Sequence, residues 1–424
     1  LITANLSINR GRLENQLKRL AQFGKNEEGG IDRTTFTQAE LEAREWLIEQ
    51  FKAIKLKVKV DEAANIWATR EGKKTLPHIV FGSHIDSVPN GGMYDGALGV
   101  LISLEIMTRL HEIRKETRHP FTCVSFSAEE PNPFGLSTFG SRIVTKRLRA
   151  HDIKEVKNQE GLSLESALNA AGGDFDHIER AQIDPKTIAA FLELHIEQGK
   201  RLERNQIPIG VVTSITGIYR EKIRIIGEAN HAGTTMMNDR KDALTTSSEC
   251  ILLLESICRD HPSDEVVGTI GELHIKPNAA NIIPEEVELT VEIRGKTEEE
   301  IRQVVSSWEC ALKRVFQNRK HMTLERHVFL NQPPSPMDTA VISAIESAAG
   351  QLSYKFMHLG SMAGHDATHM ATITRSGMIF VPSRKGKSHC PDEFTSMDDI
   401  EIAANTMLHT LLLLDQSLND KEDL

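Results

Sequence analysis

The sequence predicts an α/β protein: a sheet with helices on both faces, three layers (αβα) in all, with a smaller ferredoxin-like α+β domain inserted into it. Three observations predict this. Short apolar runs bounded by turn residues recur at residues 78–82, 121–127 and 188–194, with helical patterns such as residues 98–114 between them. Their apolarity is continuous rather than alternating, as expected of strands covered on both faces. After Gly210-Val211-Val212 the pattern switches to alternation, and after Pro333-Pro334-Ser335-Pro336 it switches back, with an apolar strand at residues 378–381 and a closing helix capped by Ser396.

Taken in order, Thr37-Gln38-Ala39-Glu40 has the spacing of a capping box, and Leu41, Trp46, Leu47, Phe51 and Ile54 behind it lie near one helical stripe. In the alternating region Tyr219, Glu221, Ile223 and Ile225 are interleaved with Arg220, Lys222 and Arg224, a strand with one wet face. A helix over residues 240–259 follows, then strands near residues 268–275 and 287–294, the latter with Val287, Leu289, Val291 and Ile293 on its dry side. Thr297 and Glu300 form a second capping box ahead of Ile301, Val304, Val305, Trp308, Leu312 and Val315, and a last strand fits residues 322–330. The order βαββαβ is the split ferredoxin-like unit. One domain is therefore expected over residues 1–213 and 330–424, and the inserted one over residues 214–329.

A chain of 424 residues exceeds what one core usually supports, which agrees with two domains. Hydrophobic residues at 39% and charged residues at 26% are ordinary for a globular protein. A net charge of -10 excludes a partner held by many phosphate contacts, so no nucleic acid is expected. No run approaches the ~20 apolar residues of a membrane helix, so no membrane is expected either. The start Leu1-Ile2-Thr3 lacks a basic stretch leading into an apolar segment, from which a cytoplasmic location is expected. Five scattered cysteines without a C-x-x-C pair read as free thiols, with Cys390 as a small buried hydrophobe.

The chemistry gathers at strand ends, where open α/β sheets place their ligands. The first apolar run leads into Ser83-His84-Ile85-Asp86, and a Gly-rich loop, Pro89-Asn90-Gly91-Gly92-Met93-Tyr94, leads to Asp95. His84 and Asp95 are placed to hold a metal, with Asp86 accepting the other imidazole N–H. Glu129 and Glu130 follow the next strand; adjacent strand residues point opposite ways, so one carboxylate can ligate while the other handles a proton. His195 ends the third strand and His389 follows the last one. Singly, each could be a turn residue. Together, three histidines, an aspartate and a glutamate make a nitrogen and oxygen set suited to zinc or manganese, with cobalt or nickel also accommodated.

Gly82-Ser83-His84-Ile85-Asp86, Tyr94-Asp95-Gly96, Glu129-Glu130, Glu193-Leu194-His195-Ile196-Glu197-Gln198-Gly199, His231-Ala232-Gly233-Thr234-Thr235, Asn281-Ile282-Ile283-Pro284 and Gly364-His365-Asp366-Ala367 resemble the hydantoinase/carbamoylase branch of the M20 metallopeptidase superfamily. That branch includes N-carbamoyl-L-amino acid hydrolases and allantoate amidohydrolases. The resemblance covers nearly the whole chain and implies a catalytic αβα domain, an inserted lid/dimerisation domain, a homodimer formed through it, and two divalent ions per subunit. It implies that Asp95 bridges the ions, His84 and His195 complete one site, and Glu130 and His389 the other. Glu129 would be the general base acting on water, and His231 would reach across the dimer to the tetrahedral oxyanion. Gln198, Asn281 and Arg294 would bind substrate, Arg294 through its planar fork on a carboxylate. The implied reaction removes the carbamoyl group of an N-carbamoyl-L-amino acid or of allantoate, releasing ammonia and carbon dioxide.

Two positions depart from the family pattern. Pro131-Asn132-Pro133-Phe134 replaces a glycine and Arg-Phe element after the glutamate pair, and Met362 replaces a glycine, narrowing the space expected near the substrate's carboxylate end. The rival readings are an aminoacylase or dipeptidase of the same superfamily, and a non-catalytic homologue that binds ureido compounds. Local structure offers competing roles too: His231 as a turn residue, Arg294 as a surface partner of Glu292, Asn281 as a turn closer before Pro284.

Overall fold

The apolar runs become strands of one large sheet in the computed structural model, which describes residues 6–418. In chain order the strands are β1 (Lys57–Val60), β2 (Ile66–Arg70), β3 (His78–His84), β4 (Phe121–Phe126), β5 (Ile188–Ile196), β6 (Ile209–Ile215), β7 (Gly217–Ile226), β8 (Val267–Lys276), β9 (Glu286–Gly295), β10 (Thr323–Gln332), β11 (Ser335–Pro336), β12 (Phe356–Ser361) and β13 (Arg375–Val381). The chain divides into two units. The first takes in the described chain up to Thr213, then Met337–Leu359, then the described chain from His365.

In the first unit β4, β3, β5 and β13 lie side by side and parallel, which requires crossovers; the helix Ala97–Glu112 supplies the one between β3 and β4. β1 and β2 extend one edge and β6 the other, all antiparallel. The short turn between β1 and β2 permits only a hairpin. The Asp61 carboxylate organises that turn by accepting from Ala63 N, Asn65 N, Asn65 Nδ2 and Trp67 Nε1 at 2.7–3.0 Å. One face of the sheet is buried by Arg10–Leu20, Ala97–Glu112, Thr339–Gln351 and Met397–Ser417, whose apolar residues join Ile79, Phe81, Leu192 and Leu194 in a single core. The helices Phe139–Val144 and Ala367–Met370, which pack on β4, β5 and β13, are short, and an open cavity of about 900 Å³ is lined by Trp67, Thr69, Val80 and Thr122. The layer beyond that face is thinner than the three-layer expectation.

Local details differ from the sequence reading in three places. The helix Gln38–Ala53 starts where expected, but the Thr37 hydroxyl donates to Thr34 O and Glu40 accepts from Phe36 N, so no capping box closes there. At Thr297 and Glu300 both capping hydrogen bonds are present. Cys390 is half-exposed rather than buried, and all five cysteines are free.

The second unit, Ser214–Pro336 with Gly360–Gly364, has its own core. Its sheet runs β10-β7-β9-β8, antiparallel throughout, with Ala243–Arg259 and Glu298–Asn318 packed against it. The unit runs on to Pro336 because Ser335 and Pro336 pair with Ile215 and Ser214, and it takes in Gly360 because Gly360 N donates to Glu265 at 2.6 Å. The dry side of β9 alternates without a break, and the wet side carries cross-strand ion pairs, Arg220 with Glu292 at 2.6 Å and Lys222 with Glu288 at 3.3 Å. One charge turns inward: Glu221, fully buried, accepts from Trp308 Nε1 at 2.7 Å and from Arg326 Nε at 2.8 Å. Among the described residues no helix is long and apolar enough to cross a membrane.

Candidate metal centre

β3 and β5 end at the same level of the sheet, so His84 and His195 emerge side by side, their rings stacked 5.9 Å apart. Each imidazole is oriented by main-chain oxygen: His84 Nδ1 lies 3.0 Å from Asp86 O, and His195 Nδ1 lies 2.9 Å from Ile196 O. A carbonyl only accepts, so each Nδ1 carries a proton, which turns the Nε2 lone pair towards the site. Asp95 meets both rings with Oδ1, at 3.1 Å from His195 Nε2 and 3.6 Å from His84 Nε2. Its Oδ2 lies 3.4 Å from His389 Nε2, which is in turn 3.3 Å from Glu130 Oε1. One carboxylate thus faces two ligand pairs with its two oxygens.

The glutamate pair reaches the site by a turn rather than by strand alternation. β4 ends at Phe126, Ala128 has a positive φ of 51°, and the Glu129 and Glu130 N–H groups both bind the Asp86 carboxylate, at 3.3 and 3.1 Å. Glu129 Oε2 comes within 3.5 Å of His84 Nε2. The approach is tight elsewhere too. Gly96 has a φ of 61°, and a Cβ there would fall 2.2 Å from His84 Nε2, so only glycine lets the backbone pass the imidazole.

The donor set fits divalent cations. Three groups, His84/Asp95/His195, His84/Glu129/Glu130 and Asp95/Glu130/His389, each bring ligand atoms within 4.8 Å of one another. Buried His84 Nε2 and Glu130 Oε1 make no well-directed hydrogen bond among the described residues, an arrangement that costs free energy unless a ligand meets them. The field points the same way. Burial pushes Glu129 and Glu130 above the usual carboxylate range, and the Asp95 and Glu130 carboxylates facing its Nε2 raise His389 to about 11. The cluster is short of positive charge.

Residues 80–413 match the peptidase family M20/M25/M40. The chain belongs to this family. As an M20/M25/M40 member it is a hydrolase. The N-carbamoyl-L-amino-acid amidohydrolase of Paenarthrobacter aurescens is 35% identical over 408 residues, 96% of this chain and 98% of that protein. The allantoate amidohydrolase of Bacillus subtilis is 34% identical over 402 residues, 93% of this chain and 95% of that protein. Among solved structures, an amidase of the hydantoinase/carbamoylase family from Burkholderia multivorans superposes with a TM-score of 0.86 at 30% identity, over 96% of this chain and 98% of that one.

Against this family frame, the structure gathers His84, Asp86, Asp95, Glu129, Glu130, His195, His389 and Gln198 in the first unit. Gln198, at a positive φ of 58°, donates from Nε2 to Asp95 Oδ2 at 2.7 Å. His231, Asn281 and Arg294 belong to the second unit. There Asn281 O accepts from Ala232 N at 3.0 Å, which sets it beside the His231 turn, and Arg294 bonds Glu292 at 2.7 Å and Met362 O at 2.9 Å. His231 is exposed, with Nδ1 accepting from Gly233 N and Thr234 N. Its proton therefore sits on Nε2, pointing a donor outward.

Sequence reasoning assigned no role to four supporting groups. Glu193, fully buried, accepts from Ser83 Oγ and Ala367 N at 2.8 and 3.0 Å, and His365 lies edge-on to His195 at 4.6 Å. Ser388 and Glu393 flank His389 and hold the Asp95 turn. Single buried polar groups, inside a strand as with Glu193 or in loops, leave no periodicity; the one available signal was a glutamate four residues after a candidate ligand.

Proposed function

We propose that the protein is a two-metal amidohydrolase of the carbamoylase type, removing the carbamoyl group of N-carbamoyl-L-amino acids or allantoate with release of ammonia and carbon dioxide. The observation that carries the reading is Asp95, with His84 and His195 at one oxygen and His389 at the other. His84, Asp95 and His195 would hold one cation, and Asp95, Glu130 and His389 the second. Bound there, the two ions supply Lewis acidity at the amide carbonyl and make water easier to deprotonate.

The remaining work falls to the chain. Glu129, not needed in either ligand set, takes the proton of the attacking water at its carboxylate and returns it to the leaving nitrogen. Burial, which raises its affinity for that proton, suits both halves of the transfer. His231 offers an outward Nε2–H to the tetrahedral oxyanion. Arg294 and Asn281 bind the substrate's carboxylate end, and Gln198 orients the carbamoyl group beside Asp95. In this reading the second unit is the lid and dimerisation domain. Its edge strand β8 exposes Val267 and Leu273, and the helix Ala243–Arg259 exposes Leu252, apolar surface that a second copy would cover.

The test is a hydrolysis panel of allantoate, several N-carbamoyl-L-amino acids and the matching N-acetyl amino acids. Each is run on chelator-treated protein and again with zinc, manganese, cobalt or nickel restored. Ammonia release from ureido substrates only after metal return is expected. Turnover of the acetyl compounds alone would transfer the protein to the aminoacylases, and ureido binding without turnover would make it a binding homologue. Light scattering in solution checks the dimer.

A further inference from the structure

Two of the proposed ligands, Asp95 and His389, stand on irregular loops, while His84 and His195 stand on strand ends with their Nδ1 atoms already fixed. His389 is also the outlying member: its side chain is 45% exposed and its backbone sits at a φ of 57°. Something must register these two loops, because a ligand displaced by even ~1 Å loses its cation.

Glu393 does this. It is 5% exposed, and its Oε1 accepts from both Tyr94 N and Asp95 N, at 2.8 and 3.0 Å. Its Oε2 lies 2.9 Å from Ser388 Oγ, and the same hydroxyl lies 2.7 Å from Asp95 Oδ2. The segment from Ser388 to Glu393 therefore grips Asp95 twice, once through backbone and once through side chain, with His389 between the two grips. The Gly-rich loop makes room for it. A Cβ on Gly92 would lie 2.2 Å from Glu393 Cδ, so the carboxylate occupies the space that the missing side chain leaves.

We propose that Glu393, acting with Ser388 and accommodated by Gly92, is a positioning residue that registers the His389 loop against the Asp95 loop and so sets the affinity of the Asp95/Glu130/His389 cation site. The inference rests on the two-metal reading above. It assigns these residues their larger effect on that ion, because Asp95 is shared by both sites whereas His389 belongs to this one, and His84 and His195 are fixed by contacts that Glu393 does not make.

The experiment measures Mn²⁺ alone, by equilibrium dialysis against the metal-free full-length protein, for the unaltered chain and for Glu393→Ala, Ser388→Ala and Gly92→Ala. Thermal melts of the metal-free proteins report folding, and Ser388→Ala, at a half-buried position, serves if the other two fail to fold. Two equivalents are expected on the unaltered chain, with one weakened 10–100-fold in every folded variant and the other weakened distinctly less. Activity lost at low Mn²⁺ should return at high Mn²⁺ with KM unchanged. Two equivalents bound as tightly as before, or both weakened alike, would overturn the proposal while leaving the two-metal reading intact. Fewer than two equivalents on the unaltered chain would remove that reading and this inference with it.

Discussion

The carboxylate of Asp86 accepts the backbone N–H of Glu130 at 3.1 Å, so the residue that follows one strand dictates where the chain turns after the next. Asp86 also accepts from Thr35 Oγ1 at 2.9 Å and lies 3.3 Å from His84 Nδ1. Replacing it with alanine leaves two buried N–H groups and the Thr35 hydroxyl without their partner and takes a nearby carboxylate from the His84 imidazole, which keeps Asp86 O. The Asp86→Ala protein is expected to bind divalent metal 10–100-fold more weakly, as loss of such supporting contacts typically does. Unchanged metal affinity in a folded variant would show that Asp86 supports nothing.

Glu129→Gln preserves shape and burial but removes the proton acceptor. A fall in kcat of about 10²–10⁴-fold is expected, with metal content and KM close to those of the unaltered chain. Single-turnover kinetics with metal analysis on the same samples decides it, and retained turnover would exclude Glu129 as the base.

Glu221→Ala tests the second unit. Removing the carboxylate strands the Trp308 N–H and leaves the Arg326 guanidinium, which is 24% exposed and keeps some hydration, with Glu309 still at 3.1 Å. A loss of about 3 kcal/mol is expected, the low end for breaking a buried pair. Hydrogen exchange should show faster opening of the β7–β10 ladder, and protection as before would mean the buried pair contributes little.

Asp415 fastens the closing helix to the segment before β4, accepting from Arg118 N, His119 N and His119 Nδ1 at 2.7–3.1 Å. Burial opposes its ionisation, but these hydrogen bonds outweigh that and hold the carboxyl below its ordinary value. A lowered carboxyl pKa stabilises the fold fully above the unfolded value near ~3.9 and loses that contribution as pH falls through the folded value. The unaltered protein should therefore exceed Asp415→Asn by about 1–3 kcal/mol at neutral pH, the gap closing below about pH 4. A gap independent of pH in urea titrations would count against this account.

What the sequence revealed followed from periodicity. Val287, Leu289, Val291 and Ile293 announced β9, and the apolar run before His84 announced β3, because burial on one or both faces leaves a repeating signature. β1, Lys-Val-Lys-Val at a sheet edge, lacked the apolar run used to find strands, and β2 is short; neither was anticipated. The ligand candidates were visible as charges placed after apolar strands. The groups that orient them were not, since Asp86 on Glu129 and Glu393 on Tyr94 are contacts across 43 and 299 positions that no local pattern encodes. The turn at Ala128, which places the glutamate pair, depends on one left-handed residue that no glycine marked.

The way the second unit leaves and rejoins the chain has its own consequence. Within the first unit Met337 N donates to Thr213 O at 2.9 Å, so the two cut ends are hydrogen-bonded neighbours. The long excursion between them therefore imposes almost no closure penalty on the parent sheet, and lengthening or trimming it away from the positions that hold Gly360–Gly364 is open to evolution, and to protein engineering, without redrawing the scaffold.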